Sequence, residues 1–235
     1  MIAAALLSLA LANASLSAAP AHLSLTGADR QVVRVTTQGP RLAVDVSVSA
    51  YALDLHGRPR ILAKPGTPWL TVRPRRLIAS SDGAVLTVRS QPAASLRAGD
   101  HQALVLLTGA LPSKRGLVVR MRIGIIVTLR VPGAVTRRVE LQTLRIRRRA
   151  RLLELWLVNR GGVDESIGPH QVLVTVLRHG RVLARLHPAA QQLLPRSRGI
   201  VELRYRGTAH GRVTVRVELL RPAGRRVVRA FVLRL

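Results

Sequence analysis

Residues 212–219 read Arg212-Val213-Thr214-Val215-Arg216-Val217-Glu218-Leu219. Every odd position is aliphatic and every even position is polar or charged. A period of two places the four aliphatic side chains on one face of an extended strand. The same rhythm governs 42–48, where Leu42, Val44, Val46 and Val48 alternate with Ala43, Asp45 and Ser47. Strands of this kind pack one face on a core and leave the other in water.

Outward from these two segments, the chain after Pro20 breaks into short apolar runs divided by Gly, Pro, Asp and Ser. The spacing is about 8–12 residues, the rhythm of a sandwich or barrel. The runs are His22–Thr26, Gln31–Thr37, Leu42–Ala50, Trp69–Val72, Ala84–Ser90, Gln102–Thr108 and a long one, Leu117–Val131. Pro132-Gly133 then marks a boundary, since neither residue continues a ladder easily. A basic stretch, Arg137–Arg151, precedes a second series: Leu152–Asn159, Val172–Arg178, Arg181–Leu186, Gly199–Tyr205, Arg212–Leu220 and Arg225–Leu235. His179-Gly180 reads as a tight hairpin turn and Pro222-Ala223-Gly224 as a longer one. No segment carries a sustained 3.6-residue stripe.

Composition agrees with strands. The 235 residues are 48% hydrophobic but only 2% aromatic, so Val, Leu, Ile and Ala must fill the interior. All but two of the 38 basic residues are arginine, set against 11 acidic ones, for a net charge of +27. That excess attracts polyanions in a salt-dependent way. Its origin is either selection for bidentate anion contacts or a codon bias toward arginine. With no cysteine, neither a disulfide nor a thiolate site is available.

Residues 1–19 carry no charge, and an apolar run from Ile2 to Leu11 leads to Ala12-Asn13-Ala14 and Ser17-Ala18-Ala19. Small residues in that position suit a signal peptidase, so 1–19 is read as a signal peptide and the chain as exported. No Lys or Arg precedes the apolar run, which reads as a true start upstream of Met1. No other apolar stretch is long enough to span a bilayer.

Three stretches are more specific: Trp69-Leu70-Thr71-Val72-Arg73-Pro74, Val85-Leu86-Thr87-Val88 and Gly99-Asp100-His101-Gln102-Ala103-Leu104-Val105. With the closing Arg130-Val131-Pro132-Gly133, they resemble the first domain of bacterial exported proteins related to periplasmic pilus chaperones. They are also similar to the peptidoglycan-binding domain of WxL-interacting proteins. The resemblance covers residues 20–133; the second half is similar in general character to the sandwich that follows in such proteins. It implies an all-β chain of two immunoglobulin-like, pilus-chaperone-like β-sandwich domains in tandem. On this reading residues 20–133 form the first sandwich, 134–150 a basic linker and first strand, and 151–235 the second sandwich. Pilus chaperones hold a subunit's terminal carboxylate with a lysine on the last strand of the first domain. The matching stretch here, Gly124-Ile125-Ile126-Val127-Thr128, has no basic residue. WxL-interacting proteins end in a membrane helix and basic tail, whereas this sequence closes on an apparent strand, Phe231-Val232-Leu233-Arg234-Leu235.

Catalytic patterns are sparse. His22, His56, His101, His170, His179, His187 and His210 stand singly, without the i, i+4 spacing that puts two ligands on one helix face. Asp164-Glu165 is read as a solvated loop and Asp100 as a turn former bonding the backbone two residues on. Neither a Gly-x-Ser-x-Gly elbow nor a phosphate-cradling glycine loop is present. The reading is non-enzymatic, with no cofactor and no metal.

Two binding candidates follow. In Leu117–Val131, the row Leu117, Val119, Met121, Ile123, Ile125, Val127 and Leu129 forms a candidate strand-pairing edge, or else the face of a fully paired inner strand. Arg145, Arg147, Arg148, Arg149 and Arg151 form a candidate anion-binding cluster, or else a solvated linker; in an extended segment Arg145, Arg147, Arg149 and Arg151 share a side. Trp69 and Trp156 are read as core side chains. The expected function is an exported, secreted or periplasmic, cell-envelope binding protein. Its partner is an envelope polypeptide or a cell-wall glycan such as peptidoglycan, with anionic polymers favoured by the basic surface and nucleic acid disfavoured for want of aromatic platforms. The alternative is a periplasmic chaperone-like assembly factor for surface or pilus-like subunits that acts by edge-strand pairing.

Overall fold

The computed structural model describes residues 15–65, 67–112, 118–207, 211–220 and 226–234. Nineteen strands and one short 3-10 turn account for the regular structure of these residues, and none of them is α-helical. No helix among them is long and apolar enough to cross a membrane. The chain folds as two compact units. The first takes the chain through Ala50, then Ala63–Ser95 and Gln102–Leu129; the second takes Tyr51–Leu62, Leu96–His101 and everything from Arg130 onward.

The first ten strands are β1 (Ser15–Ala19), β2 (His22–Thr26), β3 (Arg30–Gln38), β4 (Leu42–Leu53), β5 (Pro59–Pro65), β6 (Leu70–Arg73), β7 (Arg76–Ala79), β8 (Ala84–Ser90), β9 (Gly99–Pro112) and β10 (Val118–Val131). They form two sheets, β1-β3-β8-β6 and β2-β10-β9-β4-β5, with β7 also paired to β4. Period-two patterning does the sorting. Val33 and Val35 of β3, Leu86 and Val88 of β8, Val44 of β4, and Ile125, Val127 and Leu129 of β10 are all buried, and their alternating neighbours face out. Trp69 joins this core.

The remaining strands are β11 (Val139–Arg147), β12 (Leu152–Asn159), β13 (Glu165–Ile167), β14 (Val172–Arg178), β15 (Arg181–Leu186), β16 (Gln191–Leu193), β17 (Arg198–Arg204), β18 (Arg212–Leu220) and β19 (Arg226–Arg234). They pair as β11-β12-β17, β13-β16 and β15-β14-β18-β19. Leu153, Leu155 and Leu157 of β12 meet Val174 and Val176 of β14 and Val213, Val215 and Val217 of β18 in one core. The edges of two sheets carry arginine contacts. Arg229 on edge strand β19 donates through Nη1 to the Leu141 carbonyl of edge strand β11, 2.8 Å away and beside a bulge. Arg148 Nε donates to the Arg234 carbonyl at 3.2 Å.

Several expectations change on this fold. Residues 1–14 lie outside the described residues, but Ser15–Ala19, read as the end of a signal peptide, form β1. That strand pairs with β3 from Ser15↔Gln38 to Ala19↔Arg34, and its Leu16 is buried. Leu117 and the Pro222-Ala223-Gly224 turn lie outside the described residues. The arginine cluster does not run straight: β11 ends at Arg147, Arg148–Ala150 form the 3-10 turn, and Arg151 is left-handed. The shared side expected for four arginines therefore stops at Arg147.

Candidate functional site

β10 is fourteen residues long and β2 only five. The Ile126 amide donates to the Ala21 carbonyl at 3.0 Å, and His22 Nε2 lies 3.2 Å from Thr128 Oγ1, so β2 starts level with the middle of β10 and covers only its C-terminal half. The residues before β2 do not extend it, because β1 belongs to the opposite sheet. Residues 118–124 consequently have β9 on one side and no strand on the other among the described residues.

The proposed strand-pairing row splits at this point. Ile125, Val127 and Leu129 lie fully within the first unit's core and face no opening. Val119, Met121 and Ile123 continue the same alternating row beyond it: Val119 is 51% exposed, and Met121 and Ile123 are half-buried. Between them Arg120 and Arg122 point to the other face and are exposed. Unpaired amides and carbonyls beside a row of exposed apolar side chains are what an added strand needs: hydrogen bonds from the backbone and pockets for alternate residues. Gly124–Thr128 offers no cation, and the His22 ring lies against the Thr128 hydroxyl.

The arginine cluster is largely occupied by its own unit. Arg145 lies over the Trp156 ring, 4.8 Å from its centroid. Arg147 Nη1 sits 3.5 Å from Glu154 and 3.8 Å from Glu202, and His56 Nδ1 is 3.5 Å from the same Glu202. Arg149 and Arg151 are exposed. Trp156, read as a core residue, is only half-buried beneath Arg145.

Two carboxylates read as turn and loop residues prove to be buried anchors of the second unit. The Asp100 side chain is 2% exposed; its two oxygens take the forked Nε and Nη2 of Arg130, and Oδ2 also accepts the Asp164 amide at 2.8 Å. Arg137 grips Glu165 in the same forked way, with both contacts at 2.9 Å. These hydrogen bonds stabilise the charged guanidinium and hold the pKa of Arg130 and Arg137 above the ordinary value. Gln192 donates to Asp164 at 2.9 Å. The sequence signal that would have found them is weak: an acid after Gly99, and an arginine just ahead of Pro132. His101, beside Asp100, turns its Nε2 to the Arg97 carbonyl at 2.7 Å instead of forming an acid–base pair. Among the described residues no group of three or more His, Asp or Glu side chains is arranged to hold a metal.

No protein-family model matches the sequence, and no curated relative does. Solved structures do match in shape. A chain from a chaperone–tip adhesin complex of CFA/I fimbriae biogenesis superposes with a TM-score of 0.58 at 9% identity, over 92% of this chain and 98% of that one. The class 5 fimbriae chaperone CfaA gives 0.51 at 11% identity, over 92% and 98% of the two chains. At such identities the likeness is one of fold: this protein has the two-sandwich, immunoglobulin-like architecture of the fimbrial chaperones.

Proposed function

We propose that the protein is an extracytoplasmic, chaperone-like assembly factor that captures a surface subunit by pairing a strand along residues 118–124 of β10. The observation that carries this reading is the half-open β10 edge. Among the described residues its backbone lacks a second neighbour where Val119, Met121 and Ile123 extend the core row toward solvent. The fold shared with fimbrial chaperones supports the same reading. The broader expectation of an envelope-binding protein narrows accordingly to a polypeptide partner. A glycan platform has less behind it, because Trp156 is stacked under Arg145 instead of lying open.

Site-specific photocrosslinking in the producing cell tests the proposal. A photoreactive residue at position 119 or 121 should give adducts with one exported subunit, mapped to an unfilled sheet edge of that subunit. The same residue at position 182, equally exposed on β15 at 51%, should not. Adducts at 182 and none at 119 or 121 in a folded protein would remove the edge from consideration.

A further inference from the structure

A second surface of the first unit, in the layer opposite β10, carries a feature that strand capture does not use. The outer face of the β1-β3-β8-β6 sheet is laid out by register. Arg30 of β3 stands directly opposite Arg89 of β8, and Arg89 is in turn opposite Thr71 of β6. In the next row Val32 faces Thr87, and Thr87 faces Arg73. Three guanidinium groups and two hydroxyls thus crowd one shallow, open basin of about 630 Å³. Facing residues in an antiparallel pair are about 5 Å apart, and like charges placed so repel.

Among the described residues no carboxylate forms an ion pair with any of the three. The ion pairs of the described residues join Asp45, Asp100, Glu140, Glu154, Glu165, Glu202 and Glu218 to other partners, and none includes Arg30, Arg73 or Arg89. Asp29 borders the basin, but its oxygens accept the backbone amides of Arg30, at 2.6 Å, and Thr26, at 3.4 Å. Arg34, farther along the same face, is committed to the Asp82 carbonyl. Three guanidinium groups against the single carboxylate of Asp29 leave an excess of positive charge that suits an anion with several acceptor oxygens, and phosphate suits forked guanidinium donors with hydroxyls beside them.

The neighbouring side chains narrow the source. Two aliphatic side chains stand on the same open face: Val32, 50% exposed, and Val85, 60% exposed. Cations interleaved with exposed aliphatics match a plane of anionic headgroups above acyl chains, whereas a soluble polyanion would make no use of the aliphatics. We propose that this face docks the first unit on an anionic phospholipid surface through Arg30, Arg73 and Arg89, with Val32 and Val85 meeting the interfacial layer. The assignment is independent of strand capture. Because β10 belongs to the other sheet of the same sandwich, docking leaves its edge open.

Vesicle sedimentation of the full chain at physiological salt tests this, with phosphatidylcholine vesicles with or without a minority of phosphatidylglycerol. Binding is expected only with the anionic lipid. At about fivefold per arginine near the surface, the triple variant R30S/R73S/R89S should lose roughly a hundredfold in partitioning. The charge-matched triple R178S/R181S/R185S, three exposed arginines of the β14–β15 hairpin, should lose far less. Equal losses from the two triples would reduce the effect to overall charge and overturn the proposal. Binding of soluble polyphosphate through the same arginines, without vesicle binding, would also overturn it by assigning the face to a polymer. Should the triple variant unfold, dye labelling of single cysteines decides, since the chain has none of its own. A polarity-sensitive dye at Val32→Cys should shift to the blue on anionic vesicles, and one at the equally exposed Val182→Cys should not; no shift at position 32 refutes docking.

Discussion

Replacing Tyr51 with Phe isolates a single buried hydroxyl whose contribution depends on pH in a calculable way. Tyr51 is 5% exposed and its hydroxyl has no hydrogen-bond partner among the described residues. Burial, and secondly the nearby Asp164 carboxylate, disfavour the phenolate and push its pKa from 10.0 up to about 12. Near neutrality the phenol is protonated folded or unfolded, so Tyr51→Phe only removes an unsatisfied polar group. The variant should be as stable as the parent, or more so by up to about 1 kcal/mol. Above pH 10 the unfolded chain gives up the proton while the folded one keeps it. The folded state then binds more protons, and stability falls as pH rises toward 12. At pH 11 the loss is about 1.4 kcal/mol, from one pKa unit at about 1.36 kcal/mol. Urea unfolding of both proteins at pH 8 and pH 11 gives the comparison, since every other titrating group is common to the two and cancels. The stability difference should widen by about 1.4 kcal/mol in favour of the variant. Parallel pH profiles would mean that Tyr51 is solvated or hydrogen-bonded, and the reasoning would fail.

Other outcomes follow from the same geometry. Val119→Asp should leave urea stability within about 0.5 kcal/mol, because the side chain is 51% exposed, yet abolish subunit capture in a pull-down; retained capture counts against the β10 edge. Arg130→Ala strips a buried carboxylate of its cation and should cost roughly 3 kcal/mol, visible as faster amide exchange in the second unit. Arg130→Lys should recover only part of that stability, because an ammonium cannot fork. Gly99→Ala should destabilise the second unit, since Gly99 has φ +128° and its added Cβ would collide with the Gly162 carbonyl; an unchanged melting temperature would contradict the packing. In exported protein, N-terminal sequencing should begin at Ser15, because cleavage after Ala14 preserves β1 whereas cleavage after Ala19 removes it.

Strands with strict alternation were legible residue by residue. Arg212–Leu220 buries Val213, Val215, Val217 and Leu219, as its pattern requires, and His179-Gly180 makes its hairpin with positive φ at both residues. Strands lacking that signal were not visible. β5 is bracketed by Pro59 and Pro65, β7 and β13 are four and three residues long, and β1 hides in a run that reads as export signal. The candidate edge was half legible. Seven alternating positions were evident, but which of them face solvent depends on where β2 begins, a long-range fact no local pattern carries. Asp100 and Glu165 were misread for the same reason: each finds its arginine about thirty residues away, Arg130 and Arg137 respectively.

A protein that keeps one strand edge open invites its own copies to add to it, and any second open edge would let such additions grow into fibres. The arginines bridging β11 and β19 act as stoppers. With the Leu141 and Arg234 carbonyls already taken by Arg229 and Arg148, a foreign backbone would have to displace a guanidinium before it could dock there. Addition at these two edges is thereby disfavoured, and a neutral residue at position 229 would be the first place to look for it.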